Sequence, residues 1–324
     1  MADQAHAGNA TRGQEAAEPQ QIPARGWKDV AVRAWREVSE NNIFLAAGGV
    51  TYAVLLALFP ALAACVSLYG LVLDPNQIED RVGSLSGILP PDSLKLLSDQ
   101  LHQLVSASNG ALGFTAILSL LFALWSASRG MSGLISALNI AYQEKEKRGF
   151  FRFNLVAVGL TLGLIVGGLI AIALVGVLPA AVGFLDVGSF AKWLLLILEW
   201  PLLLAVVLIG LAVLYRYAPS RDSARWHWVS PGAVVGTALW IIGSIGFSIY
   251  LANFNSYNKT YGSLGGVVIL LTWLYLSSFI VLLGAVINAE TERQTHKDTT
   301  EGEPRPMGQR GAYAADTVGD APPR

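Results

Sequence analysis

Long apolar stretches alternate with polar connections along this chain. Six such stretches stand out, each close to the about 20 residues that a helix needs to cross about 30 Å of hydrocarbon. Buried strands of a soluble protein would give shorter apolar runs bounded by turn residues, and membrane β-strands would alternate apolar and polar positions. The pattern therefore predicts an all-α, polytopic membrane protein with a bundle of six transmembrane helices, at about residues 43–73, 111–127, 153–185, 193–217, 228–252 and 264–288.

The bulk composition supports a membrane location. The chain has 324 residues, of which 53% are apolar and only 14% charged. A single soluble core cannot hide that much apolar surface. The lipid bilayer is therefore the first predicted partner.

Lys and Arg are distributed unevenly about the predicted spans. Eighteen of the 22 precede the first span, lie in the even-numbered connections or follow the last span. Because cytoplasmic segments carry the excess of basic residues, both termini are predicted to be cytoplasmic.

The two ends of the chain differ from the apolar spans. Residues 1–26 and 294–324 are rich in small, polar and charged residues, and both are predicted to be disordered cytoplasmic tails. They flank a predicted membrane domain at 27–293. Within it, Trp27–Val38 has its apolar residues at helical spacing, which favours either a helix at the cytoplasmic membrane interface or a cap on the bundle.

The first outer connection, Asp74–Gly110, is predicted to contain amphipathic helices in an extracytoplasmic loop. Its clearest pattern has leucines on one helical face, at Leu94, Leu97, Leu101 and Leu104.

Several residues within the spans predict local features. Pro60 and Pro201 lie inside apolar stretches, where a proline removes a backbone hydrogen bond and kinks the helix. Small residues four apart allow close helix packing, either within the bundle or in a homo-oligomer. They occur at Gly159, Gly163 and Gly167, and again at Gly232 and Gly236.

Glu199 is the acidic residue set deepest in a predicted span. Ionisable groups in the membrane usually face a cavity or a partner. The carboxylate therefore either takes part in transport or extends towards the outer interface.

The outer connection Asn253–Gly266 is polar and rich in glycine. It either lines the entrance of a substrate path, since irregular backbone at membrane depth requires protein or water around it, or is a solvated turn. The candidate path residues in it are Asn255, Tyr257, Lys259 and Tyr261.

The sequence offers no constellation for catalysis. Cys65 is the single cysteine, and the four histidines lack the spacing of a helical metal site. We therefore expect no metal, no cofactor and no enzymatic activity. One basic cluster is explained by orientation and by contact with anionic head groups rather than by nucleic acid; it comprises Lys145, Lys147, Arg148 and Arg152.

Five ordered segments carry a resemblance to a known family. They are AAGGVTYAVLLALFPALAACVSLYG (Ala46–Gly70), LWSASRGMSGLISALNIAYQEKEKRGFFR (Leu124–Arg152), LYRYAPSR (Leu214–Arg221), SPGAVVGTALW (Ser230–Trp240) and YGSLGGVVILLTWLYLSSFIVLLGAVINAE (Tyr261–Glu290). In this order they resemble the YihY/BrkB family of bacterial inner-membrane proteins with six predicted spans. Members of that family have carried a ribonuclease BN label that is regarded as a misassignment, and transport of an unsettled substrate has been proposed for them. Many members have Glu where this chain has Val286.

Two functional hypotheses remain open. In the first, the protein is a transporter or a translocator of lipid or another small molecule in the bacterial inner membrane. In the second, it is a non-transporting structural or envelope-assembly protein that acts through the Asp74–Gly110 loop. The motif positions carried over from the family are Tyr52, Pro60, Asn139, Tyr142, Arg148, Tyr217, Pro219, Tyr261, Gly262 and Asn288. The complete candidate substrate path is Tyr52, Asn139, Tyr142, Glu199, Asn255, Tyr257, Lys259, Tyr261 and Asn288.

Overall fold

The computed structural model describes residues 12–72, 112–177, 189–253 and 263–320. The regular structure in these ranges is helical, and one isolated antiparallel bridge joins Ala224 to Thr300. The helices are α1 (Ala24–Glu40), α2 (Ile43–Val72), α3 (Leu112–Ala141), α4 (Phe150–Ile172), α5 (Ser189–Tyr217), α6 (Trp226–Asn253), α7 (Ser263–Glu292) and the short α8 (Tyr313–Asp316). A π-helical turn, Ala173–Val177, continues α4.

Four of these helices are long and apolar enough to cross a membrane. They are Phe150–Val175, Ile197–Tyr217, Trp226–Leu251 and Gly265–Glu292, with mean hydropathies of 2.6, 2.5, 1.8 and 2.3. The bent pair Ala24–Glu40 and Ile43–Leu58 adds a fifth candidate if it is counted as one span. The predicted all-helical fold is confirmed for the described residues, these helices agree with a multi-pass membrane protein, and the count of six spans stays a prediction. The helices predicted within Asp74–Gly110 lie outside the described residues.

The chain forms two compact units. One runs to Ala53 and resumes at Met131; the other is Val54–Gly130. Within the second unit, the Arg129 guanidinium lies 4.3 Å from the centre of the Trp125 ring. The functional residues discussed below belong to the first unit, whereas Pro60 lies in the second.

Helix α1 packs one face against the protein and leaves the other exposed. Val30, Ala34 and Val38 are buried, on the side where α1 packs against α7. Asn42 then adopts a left-handed conformation, with φ of 53°, which asparagine tolerates better than most residues. The helix axis bends by 65° at this break. Pro60 and Pro201 instead lie within the described helices α2 and α5.

Glycine allows α6 and α7 to approach closely. A Cβ atom at Gly232 would overlap the Gly284 carbonyl oxygen, and one at Gly284 would overlap the Tyr215 hydroxyl. The packing predicted at Gly232 is therefore confirmed. At Gly159 and Gly163, a Cβ would meet nothing within 4 Å among the described residues, so the packing predicted within the bundle is not found there.

The prediction of disordered tails is wrong for residues 12–26 and 294–320. The Thr295 hydroxyl donates a hydrogen bond of 2.7 Å to the Ala16 carbonyl, and the Gln294 amide donates one of 2.7 Å to the Arg12 carbonyl. Polar composition indicates disorder when a segment has no apolar core to bury. Here, side chains of the C-terminal segment donate hydrogen bonds to backbone carbonyls of the N-terminal segment. These bonds give both polar segments a defined conformation.

Candidate functional site

The C-terminal ends of α3, α5 and α7 meet in one group of polar residues. We call this group the ionic cluster and define it as Asn139, Tyr142, Glu146, Arg148, Ser220, Arg221, Asn288 and Glu292. Its position follows from helix chemistry, since the last carbonyls of a helix lack intrahelical partners and attract cations. Arg148, for example, donates to the carbonyl oxygens of Tyr217 and Ala218 at the end of α5, at 3.4 and 2.8 Å.

Arg221 and Glu292 form the centre of the ionic cluster. The two terminal nitrogens of Arg221 donate to the two carboxylate oxygens of Glu292 at 2.9 and 2.6 Å. Both side chains are removed from solvent, with 2% and 0% exposed. Burial alone lowers the pKa of Arg221, but Glu292, together with smaller effects of Tyr142 and Glu144, outweighs burial and the net pKa is raised.

Asn139 joins the loop after α3 to the loop after α5. Its side-chain oxygen accepts a hydrogen bond from the Ser220 backbone amide at 2.7 Å, and its side-chain nitrogen donates to Glu146 at 3.0 Å. Two nitrogens of Arg148 also donate to Glu146, at 2.7 and 2.8 Å. The hydrogen bonds from Arg148 are the main reason that the pKa of Glu146 is lowered to about 2.

Tyr142 lies fully buried beneath Arg221, whose guanidinium is 5.3 Å from the centre of the tyrosine ring. Burial is the main cause of the raised pKa of Tyr142, although the neighbouring Asn288 side chain lowers it in part. The Tyr142 hydroxyl makes no hydrogen bond of normal geometry with a described residue, although the Asn288 side chain is close enough to affect its pKa. A buried hydroxyl with an incomplete hydrogen bond destabilises the arrangement that holds it.

Asn288 holds α7 against the start of α6. Its side-chain oxygen accepts from the Gly232 backbone amide at 2.7 Å, and its side-chain nitrogen donates to the Val229 carbonyl at 3.1 Å. Val286, where many family members have Glu, is buried on the same helix. The amide of Asn288 therefore sits at the close crossing of α6 and α7.

A second set of ion pairs ties α1 to α7. The Arg33 Nε atom donates to Glu290 at 2.6 Å, and Arg293 bridges Glu290 and Glu37 at 2.5 and 3.1 Å. Glu37 also accepts from the Gln143 side chain at 2.8 Å. Through this set, α1 reaches the loop that follows α3.

The C-terminal segment 295–319 crosses the end of the unit and contacts several of these groups. Thr299 donates its hydroxyl to Glu292 at 2.7 Å. The backbone amide of Tyr313 donates to Glu144 at 2.6 Å, and that of Gly319 donates to the Arg293 carbonyl at 2.8 Å. The C-terminal segment therefore contacts the ionic cluster at Glu292 and lies against its neighbours Glu144 and Arg293.

The candidate path residues do not form one group. Asn139, Tyr142 and Asn288 lie in the ionic cluster, while the Tyr52 side chain is exposed on α2. Glu199 is buried in α5, about 27 Å before the end of that helix at 1.5 Å per residue. Asn255, Tyr257, Lys259 and Tyr261 lie outside the described residues.

The basic cluster predicted to touch head groups divides in two. Lys145, Lys147 and Arg152 are exposed. The Arg148 side chain is only 9% exposed and bonds to Glu146 and to the end of α5, so its head-group assignment is corrected to an intramolecular one. The excess of basic residues expected in a cytoplasmic segment accounts for all four charges. Counting these charges does not show which of them are buried.

Sequence reasoning missed Glu146, Ser220, Arg221 and Glu292 as cluster members. Ser220 and Arg221 end the LYRYAPSR motif, and the other signal is that opposite charges, Arg221 and Glu292, lie at the ends of two predicted spans. That signal is weak, because charges at span ends are common whatever their partners.

The chain matches a family model described as Virulence factor BrkB over residues 34–308. It is 35% identical to the protein named ribonuclease-like YfkH of Bacillus subtilis (strain 168), over 74% of this chain and 86% of that relative. It is 27% identical to the UPF0761 membrane protein PSHAa0171 of Pseudoalteromonas translucida (strain TAC 125), over 81% and 85% of the two chains. It is also 27% identical to the UPF0761 membrane protein VV0203 of Vibrio vulnificus (strain YJ016), over 82% of each.

No solved structure matches the chain. The family match spans the ionic cluster and most of the segment that contacts it, and the relatives share most of the chain's length. The chain therefore belongs to the BrkB virulence factor family.

Proposed function

We propose that this membrane protein transports a small polar molecule or a lipid, and that the ionic cluster is its closed gate. The observation that carries the proposal is the fully buried pair of Arg221 and Glu292. A desolvated ion pair contributes little net stability, because the loss of hydration offsets the attraction. Once water enters, both charges are hydrated again. Such a pair therefore suits an element with a closed and an open state better than a static joint.

The unsatisfied Tyr142 hydroxyl supports the same proposal. It lies under Arg221 in the closed arrangement and lacks a hydrogen-bond partner among the described residues. Opening the cluster to water or substrate would give this hydroxyl a partner. The closed state would then be only slightly favoured, because the buried ion pair adds little net stability and the buried hydroxyl opposes closure.

We also propose six spans in the bacterial inner membrane with both termini cytoplasmic. The distribution of Lys and Arg supports this topology. A second support is that the second, fourth and sixth predicted spans, carried by α3, α5 and α7, all end in the ionic cluster. Alternate spans must run in the same direction, so their C-terminal ends lie on one face.

We propose that the chain has no nuclease activity, although one relative's name refers to a ribonuclease. Glu146, Glu290 and Glu292 each have an arginine as their ion-pair partner, and no group of His, Cys, Asp or Glu among the described residues has the arrangement of a metal site. Incubation of purified protein with labelled RNA is expected to leave the RNA intact. Hydrolysis that is lost in Glu292→Gln would overturn this part of the proposal.

The gate is tested by cysteine accessibility in a Cys65→Ser background. Ala218→Cys places a thiol at a fully buried position beside Arg148, and Ala233→Cys places a matched thiol at a fully buried position in α6. A membrane-impermeant maleimide applied to inside-out vesicles is expected to label Ala218→Cys over minutes and to leave Ala233→Cys unlabelled. Equal protection of both thiols until detergent denaturation would contradict an opening gate and favour the structural hypothesis.

Transport itself is tested in proteoliposomes that contain a bacterial small-molecule extract and a fluorescent phosphatidylglycerol. We expect at least one extract component to leak, or the fluorescent lipid to cross the bilayer, faster with the wild-type chain than in protein-free vesicles. Asn139→Ala should be faster still, because it removes contacts of the closed ionic cluster. Indistinguishable rates for the wild type, Asn139→Ala and protein-free vesicles would contradict transport of either class.

A further inference from the structure

The outer face of α1 combines exposed aromatic and basic residues. Trp35 is 68% exposed and Val32 is 39% exposed, and Lys28 and Arg36 are exposed on the same side of the helix. The opposite face is buried against α7. Packing within the protein therefore explains the apolar residues on the buried face of Trp27–Val38 but not those on its exposed face.

A second exposed aromatic and basic group lies at the start of α4. Phe151 is 87% exposed and Phe150 is 68% exposed, and their rings meet edge to face at 5.6 Å. Lys145 and Arg152 are exposed beside them. The hydrogen bond between Gln143 and Glu37 places the loop before α4 next to α1.

The charges on this surface have the sign that attracts an anionic membrane. The nearby carboxylates Asp29 and Glu37 are already paired with Arg12 and Arg293. The exposed Glu40 offsets one cation of this surface, so the charges of the exposed Lys and Arg side chains still outnumber it. Aromatic side chains next to Lys and Arg are typical of segments that lie at a membrane interface, because the rings enter the head-group region while the cations meet lipid phosphates.

The bend after α1 gives this face a suitable orientation. Helix α2 begins with exposed Phe44 and Leu45, as expected for a surface that faces lipid. Because α1 is inclined by 65° to this part of α2, a membrane-crossing α2 would bring α1 close to the membrane plane.

We propose that the outer face of α1, together with Phe150, Phe151 and their basic neighbours, binds the anionic surface of the membrane in which the chain resides. The ligand class is the anionic phospholipid, with its phosphate at Lys28 and Arg36 and its upper acyl region at Trp35. This surface goes beyond the proposed transport function and does not depend on it.

The proposal is tested with the full chain in a Cys65→Ser background, labelled with an environment-sensitive fluorophore at Val32→Cys. The matched control carries the same label at Glu303→Cys, an exposed position in the C-terminal segment. Both are reconstituted into vesicles of phosphatidylcholine, with or without phosphatidylglycerol. We expect the label at residue 32 to be quenched at least twofold more by a lipid-attached quencher than by aqueous iodide, and the label at residue 303 to show the reverse.

Phosphatidylglycerol should increase the lipid quenching at residue 32, and the double variant Lys28→Gln, Arg36→Gln should remove that increase. Equal quenching in the two kinds of vesicle would overturn the anionic recognition. Iodide access at residue 32 equal to that at residue 303, or protection of residue 32 from both quenchers, would overturn membrane contact. None of these outcomes bears on whether the ionic cluster opens.

Discussion

Arg221 and Glu292 are 71 residues apart in the chain, yet they form two parallel hydrogen bonds of 2.9 and 2.6 Å. Arg221 follows α5 and Glu292 ends α7, so the pair fixes the ends of two long helices against each other. Thr299 adds a hydrogen bond to the same carboxylate. One buried carboxylate thus joins two helices and the C-terminal segment.

Removing one partner of this pair should destabilise the protein more than replacing both. Glu292→Gln leaves a buried guanidinium without its counter-charge, and we expect it to lower the free energy of unfolding by about 3–5 kcal/mol. The double variant Arg221→Met, Glu292→Met should lose less than Glu292→Gln alone. Reversible unfolding in mixed micelles measures both values.

The control for this comparison is Asp222→Asn. Asp222 pairs with Arg305 and the two side chains are 50% and 39% exposed, so we expect a loss of about 1 kcal/mol or less. If Glu292→Gln and Asp222→Asn had the same effect, burial would not be what makes the Arg221–Glu292 pair important.

The pH dependence of stability should contain a contribution from Glu146. Its pKa is lowered from 4.5 to about 2 in the folded protein, so the ionised carboxylate favours the folded state. This contribution is fully present well above pH 4.5 and is lost as the pH falls from there towards 2. The stability difference between the wild type and Glu146→Gln should therefore shrink on acidification.

The measurement is chemical unfolding of both proteins at several pH values between 7 and 3. Comparing the difference between the two proteins removes the contributions of the other carboxylates. A difference that is constant over this range would show that Glu146 does not have the expected pKa.

The sequence predicts the helical framework much better than it predicts the contacts at the end of that framework. Long apolar stretches are a property of consecutive residues, and four of them return as helices able to span a membrane. Asn139, Tyr142 and Asn288 were singled out individually by family motifs. Their meeting depends on three helices ending at one place, which no local pattern encodes.

Two other features could not be predicted, because the sequence around them also fits a simpler interpretation. Arg148 counted as one of several orienting charges, and its burial became apparent only with the end of α5 in place. The C-terminal segment reads as disordered because it lacks apolar periodicity. Its conformation depends instead on side-chain donors. Thr295 donates to a backbone carbonyl that is distant in the sequence, and Arg310 donates to carbonyls within the same irregular segment.

The close crossing of α6 and α7 should be sensitive to a single added methyl group. Gly232→Ala would place its Cβ against the Gly284 carbonyl and the Asn288 side chain, and we expect a loss of about 1–3 kcal/mol from overpacking. Gly246→Ala is the matched control in the same helix, because its Cβ would meet nothing within 4 Å among the described residues. Its effect should be neutral or slightly stabilising, since alanine favours a helix over glycine. Similar losses for the two variants would argue against a specific crossing at Gly232.

The fold of the C-terminal segment should depend on Arg310. This buried guanidinium donates to the carbonyl oxygens of Arg305, Lys297, Ala315 and His296, at 3.0, 3.2, 2.6 and 2.8 Å. Arg310→Ala would leave these acceptors unsatisfied, at a cost of about 1–3 kcal/mol for a buried group. We therefore expect trypsin to cleave after Lys297 about tenfold faster or more, because cleavage follows the population of the open segment.

Arg305→Ala provides the comparison for this prediction. The Arg305 side chain reaches Asp222 at 2.7 Å in a partly exposed pair, so its loss should change the rate of cleavage after Lys297 by less than about fivefold. Since Thr299 binds Glu292, release of the segment by Arg310→Ala should also speed maleimide labelling of Ala218→Cys. Faster cleavage without faster labelling would mean that the segment contacts the ionic cluster without holding it closed.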